Sequence, residues 1–320
     1  MSNLNLFRPS NLIDFVGNKE LVSSLKVSIY SAKKRNVSLD HILLYGNSGC
    51  GKTTLAHIIA NELGRKIKCY SAPLIEKISD IVSILGEIEA GDIVFIDEIH
   101  RLPKEVIEVL YGAMEDFEIS LSYKSSEGTK NILLDIPPFT LIGATTLIGK
   151  LSFPFRNRFG ITYKLDYYSI EEISLIISKN ISKLHLKIDN EGIKSIAKRS
   201  RNTPRIANNL LRRIYDYSIY FNKDYIDLDL INEYFNSQGI DELGLDRNDY
   251  SLIKAIYEKY NNRPLSVDTI AITLSETKEN ILEVYEPYLI RIGILERTKL
   301  GRRLTSYGIK FYKKNIMKKD

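Results

Sequence analysis

HILLYGNSGCGKTTLAHIIA, residues 41–60, joins an apolar run to a helical pattern through a glycine-rich turn. The turn from Gly46 to Thr53 fits the spacing GxxxxGK[ST], in which glycines let backbone N–H groups curl around phosphate oxygens. In such a loop Lys52 reaches the β- and γ-phosphates, and the Thr53 hydroxyl binds Mg²⁺. The run before the turn is typical of a buried strand and the run after it of a helix. We therefore favour a phosphate-binding loop over a glycine-rich turn with a chance lysine.

A second motif, DIVFIDEIH at residues 92–100, is the expected partner of that loop. Asp97 at the tip of the predicted strand would hold Mg²⁺, and the adjacent Glu98 would orient and polarise an attacking water. Alone, an acidic pair at a strand tip is usually a solvated strand end; beside a phosphate loop it predicts nucleotide hydrolysis. The guanine-recognition pattern NKxD is absent, since Asn18-Lys19-Glu20 does not fit it, so we expect ATP.

Length and composition limit the kinds of protein that this chain can be. The chain has 320 residues, enough for two or three domains, and its 44% hydrophobic and 27% charged residues are typical of globular proteins. No apolar run reaches the roughly 18 residues that span a bilayer, and the start, MSNLNLFRPSNLIDF, is not a signal peptide. Cys50 and Cys69 have no CxxC or metal-ligand spacing. We expect a cytoplasmic protein with no disulfide framework and no membrane segment.

The order of apolar patterns predicts an α/β fold followed by helical units. Three buried strand patterns, HILLYG, DIVFID and FTLIGATT, alternate with helical ones, which favours a parallel sheet with helices on both faces. FEISLSY and NILLDI read as a β-hairpin. Helical patterns without a buried strand follow, and then three short helices precede the basic hairpin pattern ILERTKLGRRLTSYG, typical of a winged helix. We predict a nucleotide-binding domain over 1–168, a small all-α lid domain over 169–240 and a winged-helix domain over 241–320.

Positive charge is concentrated at the C-terminal end. Residues 291–320 carry ten lysine or arginine residues against two acids, whereas the whole chain has a net charge of +5. This distribution favours a polyanion-binding module there. For the final KKNIMKKD the alternative is a solvated lysine-rich tail, and for the arginines before it the alternative is a basic hairpin that contacts nothing.

Three polar features follow the two nucleotide motifs along the chain. GATT places Thr145 and Thr146 at a strand tip, FRNRFG carries Arg156 and Arg158, and NTPRIANNLL places Arg205 at the start of a helix. Each signal is weak alone, because surface arginines are usually solvated. Their order after the phosphate loop and the acidic pair predicts groups that stabilise charge during phosphoryl transfer.

The order of these motifs resembles the AAA+ ATPases, and longer segments resemble the RuvB family of branch-migration motors from about Leu6 to Gly308. Those segments are RPSNLIDFVGNKE, LDHILLYG, FIDEIHRLPKEVIEVLYGAMEDF, DIPPFTLIGATT, FRNRFGI, TPRIANNLLRRI and EPYLIRIGILERT. The resemblance implies an AAA+ P-loop NTPase domain, an all-α lid and a winged-helix head. It also implies a hexameric ring that hydrolyses ATP with Mg²⁺ and pumps duplex DNA at Holliday junctions in recombination and DNA repair. RuvA, docked on the hairpin at 119–138, and RuvC are the implied partners.

The resemblance also assigns roles by motif match. The implied catalytic residues are Asp97, Glu98, Thr146 as a sensor, and Arg158 as a finger in a neighbour's site. The implied nucleotide-binding residues are Phe7, Arg8, Gly49, Gly51, Lys52, Thr53, Thr54, Glu115, Asp116, Phe117, Tyr168 and Arg205. Thr53 and Asp97 would hold the metal, and Arg297, Arg302 and Arg303 would contact DNA phosphates.

The sequence departs from the family pattern in places. Asn47 and Ser48 replace the two prolines of the usual GPPGxGKTT loop, which makes the loop less rigid without removing a phosphate donor. Asn202 stands where glycine is usual, and Leu300 where the wing often has an arginine. The hairpin tip SYKSSEGTK is more polar than a surface for RuvA is expected to be.

Two alternatives stay open from the sequence. One is another AAA+ class, such as a clamp-loader subunit or a replication initiator, which would lack this combination of segments. The other is a non-enzymatic DNA-binding regulator with a vestigial pocket, against which the intact nucleotide motifs argue. The four histidines, His41, His57, His100 and His185, have no metal-ligand spacing. We interpret His41, His57 and His100 as structural.

Overall fold

A computed structural model describes residues 7–125, 128–184 and 186–315. His185, the centre of the hairpin tip and residues 316–320 of the lysine-rich tail lie outside the described residues. The chain forms two compact units, of which the first comprises Met1–Leu184 with Thr203–Asn208 and the second comprises His185–Asn202 with Asn209–Asp320. These units do not coincide with the three predicted domains, whose boundaries stay predictions.

The secondary structure alternates between strands and helices in the first unit and is mainly helical in the second. The strands are β1 Ile42–Gly46, β2 Ile67–Ser71, β3 Ile93–Asp97, β4 Glu118–Ser125, β5 Gly128–Asp135, β6 Thr140–Thr145, β7 Ile161–Leu165, β8 Lys187–Ile188, β9 Tyr225–Ile226, β10 Leu295–Thr298 and β11 Gly301–Leu304. The helices are α1 Lys19–Arg35, α2 Lys52–Leu63, α3 Ile78–Gly86, α4 Lys104–Glu115, α5 Phe153–Asn157, α6 Ile170–Leu184, α7 Asn190–Arg199, α8 Pro204–Tyr220, α9 Leu228–Gln238, α10 Arg247–Lys254, α11 Val267–Leu274, α12 Lys278–Asn280, α13 Glu286–Arg291 and α14 Ser306–Asn315.

The first unit is built on a five-stranded sheet in the order β2-β3-β6-β1-β7, with every neighbouring pair parallel. Its carboxyl-terminal edge therefore carries the residues that follow β1, β3 and β6, which are the three predicted motifs. The parallel sheet of the prediction is confirmed, and β4 and β5 form the predicted antiparallel hairpin.

Helices cover both faces of this sheet, as the sequence predicts. On one face α3 and α4 pack on the strands through a cluster of buried side chains that includes Leu43, Ile81, Val94, Val106 and Leu110. On the other face α2 contacts β1, β3 and β6 and buries Leu55, Ile58 and Ile59. Successive residues of a strand point to opposite faces, so a strand covered on both sides is apolar throughout.

The two edge strands are not predicted by the apolar runs. Along β7, half-buried and exposed residues alternate until Leu165, and β2 has no fully buried residue. Each edge strand lacks a neighbour on one side, so its sequence does not read as a continuous buried run. Each inner strand does form a continuous buried run, so the apolar pattern predicts only the inner strands of this five-stranded sheet.

The second unit holds two structured parts. The sequence predicts no strand among the helices that follow the first unit, but β8 and β9 pair there. Each strand has only two residues, and of these four residues only Ile226 is buried, so no apolar run marks them. The winged-helix part buries an apolar core under β10 and β11, and α14 closes it. On α14, Gly308 leaves no room for a side chain, since a Cβ there would lie 2.1 Å from the Ile294 carbonyl oxygen.

None of the described helices is long and apolar enough to cross a membrane.

His41 is confirmed as a structural residue at the start of β1. Its Nδ1 accepts a hydrogen bond from the Leu141 amide at 2.8 Å, so its Nε2 carries the proton and donates it to the Met114 carbonyl at 3.0 Å. Burial lowers the pKa of the imidazole below its usual 6.5. The neutral ring therefore joins β1, β6 and α4.

We expect this arrangement to make the protein less stable in acid. Below about pH 6.5 the unfolded His41 binds a proton that the folded ring resists, so stability falls as pH falls, by up to ~1.4 kcal/mol per pH unit. His41→Gln can still donate and accept a hydrogen bond but does not titrate. Urea unfolding at pH 7.5, 6.0 and 5.0 should show a shallower pH dependence for the variant. Equal slopes would contradict the assignment.

Candidate nucleotide site and wing

The phosphate loop lies between β1 and α2, as the motif predicts. Gly46 at the end of β1 has a φ of 141°, and a Cβ there would lie 2.2 Å from the Leu165 carbonyl oxygen on β7. Gly49, with a φ of 81°, continues the turn, and α2 begins at Lys52. Only glycine combines this backbone with such close approach, so the loop curls tightly onto the amino end of α2.

The Lys52 amine is drawn back over the loop. Its Nζ donates hydrogen bonds to the carbonyl oxygens of Gly46 at 2.8 Å and Asn47 at 3.1 Å, and the residue is buried. Burial lowers the pKa of this amine, although the charges of Glu98 and Asp97 act in the opposite direction. The amine therefore lies near both carboxylates of the second motif.

The acidic pair begins the turn after β3. Glu98 adopts left-handed backbone angles, φ 51° and ψ 42°, which are uncommon for a residue with a side chain. Its amide donates to the Asp97 Oδ1 at 3.0 Å. Uncommon backbone angles of this kind are concentrated at functional sites, where they fix the direction of a side chain.

The Glu98 carboxylate is held by two neighbours. The Thr146 hydroxyl donates to its Oε2 at 3.1 Å, and the same oxygen lies 3.1 Å from the Nδ1 of His100. That nitrogen is also 2.9 Å from the Thr145 hydroxyl oxygen, and the His100 side chain is only 2% exposed. The structure therefore brings Thr146 to Glu98 as the motifs predict. It also places His100, which we interpreted as structural, in the site.

Arg205 reaches the phosphate loop from the start of α8. Its Nη1 donates to the Ser48 Oγ at 2.8 Å, and its backbone amide points at the Gly49 carbonyl oxygen at 3.4 Å. Arg205 also lowers the pKa of Lys52, because the two cations face the same space. All these residues belong to the first unit.

A cavity of about 290 Å³ adjoins the loop. Its lining includes Phe7, Arg8, Gly51, Thr54 and Tyr168 of the predicted set, together with Phe15 and Pro204. The Tyr168 hydroxyl donates to the Cys50 carbonyl oxygen at 3.2 Å, and burial raises its pKa, so the phenol stays neutral. An apolar slot beside a phosphate loop can accommodate a nucleoside.

Arg158 lies with a different group of residues. Its Nη2 is 3.1 Å from the Glu115 Oε2, its Nη1 donates to the Pro154 carbonyl oxygen at 3.0 Å, and its guanidinium stacks 3.8 Å from the centre of the Tyr111 ring. None of these partners belongs to the phosphate loop. The structure thus brings Arg158 and Glu115 together, but not onto the nucleotide site of the same chain.

Phe117 lies away from the phosphate loop of its own chain, and its predicted place at a nucleotide stays a prediction. Its ring meets the rings of His41 and Phe139, with centroids 6.4 and 6.2 Å away. His41 precedes β1 and Phe139 precedes β6, so this cluster lies at the amino ends of the strands, opposite the phosphate loop. The apolar ring is half-buried there, packed against the core, while the adjacent Asp116 is exposed.

Each wing arginine pairs with an acidic residue inside the second unit. Glu286 is fully buried and accepts hydrogen bonds from the Arg297 and Arg302 guanidinium groups. Arg302 is only 18% exposed, whereas Arg297 is 57% exposed; Arg303 pairs with Glu296 at 2.7 Å and is 47% exposed. The side chains of Arg297 and Arg303 therefore remain accessible, and Arg302 mainly neutralises the buried carboxylate.

Three family models match the chain in succession. Residues 7–165 match the P-loop domain of the Holliday junction DNA helicase RuvB, residues 168–241 the RuvB AAA lid domain, and residues 242–313 the RuvB C-terminal winged helix domain.

Whole proteins agree with these matches. The Holliday junction branch migration complex subunits RuvB of Acholeplasma laidlawii and Ligilactobacillus salivarius are 44% and 45% identical to the chain, over 96% of its length and 93% of theirs. A solved structure of the Thermotoga maritima RuvB Holliday junction branch migration motor has a TM-score of 0.87 and 42% identity, over 96% of this chain and 98% of that one. With the phosphate loop, the acidic pair and the wing in place, the chain belongs to the RuvB family.

Proposed function

We propose that this chain is an ATP-driven motor that moves Holliday junctions along DNA, the activity for which its relatives are named. One observation carries the hydrolytic part: Glu98 is hydrogen-bonded to Thr146, and its charge opposes the burial that lowers the pKa of the Lys52 amine. A carboxylate fixed beside a buried lysine of a phosphate loop is placed to orient an attacking water. A regulator with a vestigial pocket would have no need of this arrangement.

Thr53 and Asp97 fit a Mg²⁺ ion. Both offer oxygen donors, which hard divalent cations prefer. Thr53 lies in the first turn of α2 directly after Lys52, and Asp97 ends β3 near the same amine. When bound, the ion would supply positive charge to the phosphates. Lys52 and Arg205 would add their own charges at the β- and γ-phosphates.

The placement of Arg158 supports a site shared between subunits. Arg158 stacks on Tyr111 and pairs with Glu115, away from the phosphate loop of its own chain. We propose that it faces the nucleotide of a neighbouring subunit in a homohexameric ring, with Glu115 and Asp116 at the same contact. An arginine supplied from a neighbour is worth about 10³–10⁵ in rate.

The winged-helix part is proposed to contact duplex DNA through its wing. Arg297 and Arg303 are accessible there, and Leu300 lies exposed at the tip. The helical segment from Glu279 to Arg291 instead exposes no basic side chain; its exposed residues are Glu279, Asn280, Leu282, Glu283 and Val284. Acids would repel phosphates, so the wing is the better DNA contact. Phosphate contacts suit a motor that must act on any sequence.

The β4–β5 hairpin is proposed as the docking site for RuvA. Ile132, Leu133 and Leu134 on β5 are 43%, 59% and 41% exposed, and adjacent exposed apolar residues are typical of interaction surfaces. These residues, rather than the polar tip, would form the contact. RuvC would join the larger complex.

Lys52→Ala should abolish the motor activity. Losing the amine that holds the phosphates should reduce ATP turnover by roughly a hundredfold or more. The measurement is ATP-dependent dissociation of a synthetic four-way junction, with and without RuvA, alongside phosphate release. Lys66→Ala, at an exposed lysine outside the pocket, is the matched control. Unchanged turnover in Lys52→Ala would refute the site.

Mixing two inactive variants should restore hydrolysis. Arg158→Ala keeps Glu98, and Glu98→Gln keeps Arg158, so a mixed ring contains some interfaces with both groups intact. ATP turnover measured against the mixing ratio should therefore pass through a maximum, while each variant alone stays inactive over the same concentrations. If no ratio gives turnover, Arg158 does not act on a neighbouring subunit.

Arg303→Ala should weaken duplex binding and its salt dependence. Each lost phosphate contact lowers the slope of log affinity against log salt by about 0.9. Binding of a fluorescent duplex measured between 50 and 300 mM salt, roughly the range where the slope is linear, would show this. Glu296→Gln is the control, because it frees Arg303 from its acidic partner and should not reduce the slope. An unchanged slope in Arg303→Ala would place the DNA contact elsewhere.

A further inference from the structure

We propose that Ser48 is a positioning residue for Arg205, holding its guanidinium at the mouth of the phosphate loop before the γ-phosphate is bound. The inference rests on the proposed hydrolase function and concerns how this chain distinguishes ATP from ADP. It is carried by the 2.8 Å hydrogen bond from the Arg205 Nη1 to the Ser48 Oγ.

The contact joins two elements that are far apart in sequence. Ser48 lies in the loop between β1 and α2, and Arg205 lies in the first turn of α8. The backbone also approaches closely here, since a Cβ on Gly49 would lie 3.0 Å from the Arg205 Cβ. Any residue at position 205 would keep that backbone approach. The Ser48 hydroxyl is the side-chain acceptor on the loop to which the guanidinium is bonded.

Electrostatics explains why a partner is needed. Arg205 and Lys52 carry like charges and face the same space, which lowers the pKa of Lys52. Ser48 and Arg205 are both exposed to water, so an unbound guanidinium would turn outward to reduce this repulsion and to regain rotamer freedom. The neutral Ser48 hydroxyl holds it in place without cancelling its charge.

The bond leaves the arginine able to bind phosphate. A guanidinium has five N–H donors in a planar fork, and Ser48 takes one of them. The remaining donors can reach a phosphate oxygen at the loop mouth without loss of the Ser48 contact. Because the side chain is already ordered, less entropy is lost when the γ-phosphate arrives. ADP has no γ-phosphate, so the ordered guanidinium does not increase the affinity for ADP.

The test is the selectivity for the γ-phosphate, defined as the Kd for ADP divided by the Kd for AMP-PNP. Both are measured on the full chain by displacement of a fluorescent ADP. Ser48→Ala should lower this ratio about three- to tenfold, the size of one net hydrogen bond, with the Kd for ADP unchanged. Ser48→Thr keeps the hydroxyl and should retain the wild-type ratio. Ser79→Ala, at an exposed serine on α3, is the matched control.

Arg205→Ala completes a double-mutant cycle. If Ser48 acts through Arg205, then Ser48→Ala should change nothing further in the Arg205→Ala background. The proposal is overturned by a wild-type ratio in Ser48→Ala, by an equal loss of ADP and AMP-PNP affinity, or by an effect that persists without Arg205. These outcomes leave the hydrolase function intact, which is tested separately by Lys52→Ala.

Discussion

Parallel pairing of β1, β3 and β6 is the constraint on which the nucleotide site depends. Parallel strands bring their carboxyl ends to one edge, so the phosphate loop, the acidic pair and Thr146 meet there although about a hundred residues separate the first from the last. The close approach of Gly46 to the Leu165 carbonyl shows how tightly the loop is seated against β7. A bulkier residue would push the loop off this edge and separate Lys52 from Glu98.

The charged groups of the nucleotide site have partners within the protein itself. The Lys52 amine lies near the carboxylates of Asp97 and Glu98 and near the Arg205 guanidinium. The Thr146 hydroxyl donates to Glu98, and the Ser48 hydroxyl accepts from Arg205. Such preorganisation favours phosphoryl transfer, because little rearrangement is needed when charge moves in the transition state. The winged-helix part uses the same device, with the buried Glu286 shared between Arg297 and Arg302.

Sequence patterns were most informative where the physical signal is local. The phosphate-loop spacing and the apolar inner strands are both confirmed, since each depends on neighbouring residues alone. The apolar patterns do not predict the edge strands β2 and β7 or the final helix α14, because the sequence of a half-buried element resembles that of an exposed one. Asn202 illustrates a tolerated departure: its φ of 56° lies in the left-handed region, which asparagine adopts more readily than most residues.

By itself, the sequence determined the nucleotide chemistry, the family and the order of the three functional parts. Those properties follow from residue types at fixed spacings along the chain. Only the tertiary structure decided the partners of individual side chains: His100 beside Glu98, Ser48 beside Arg205, Arg158 on Glu115, and Phe117 against Phe139. Apart from His100 and Glu98, which meet within one turn of the chain, these contacts join residues distant in sequence. No local pattern encodes them, because they depend on how the strands and helices pack.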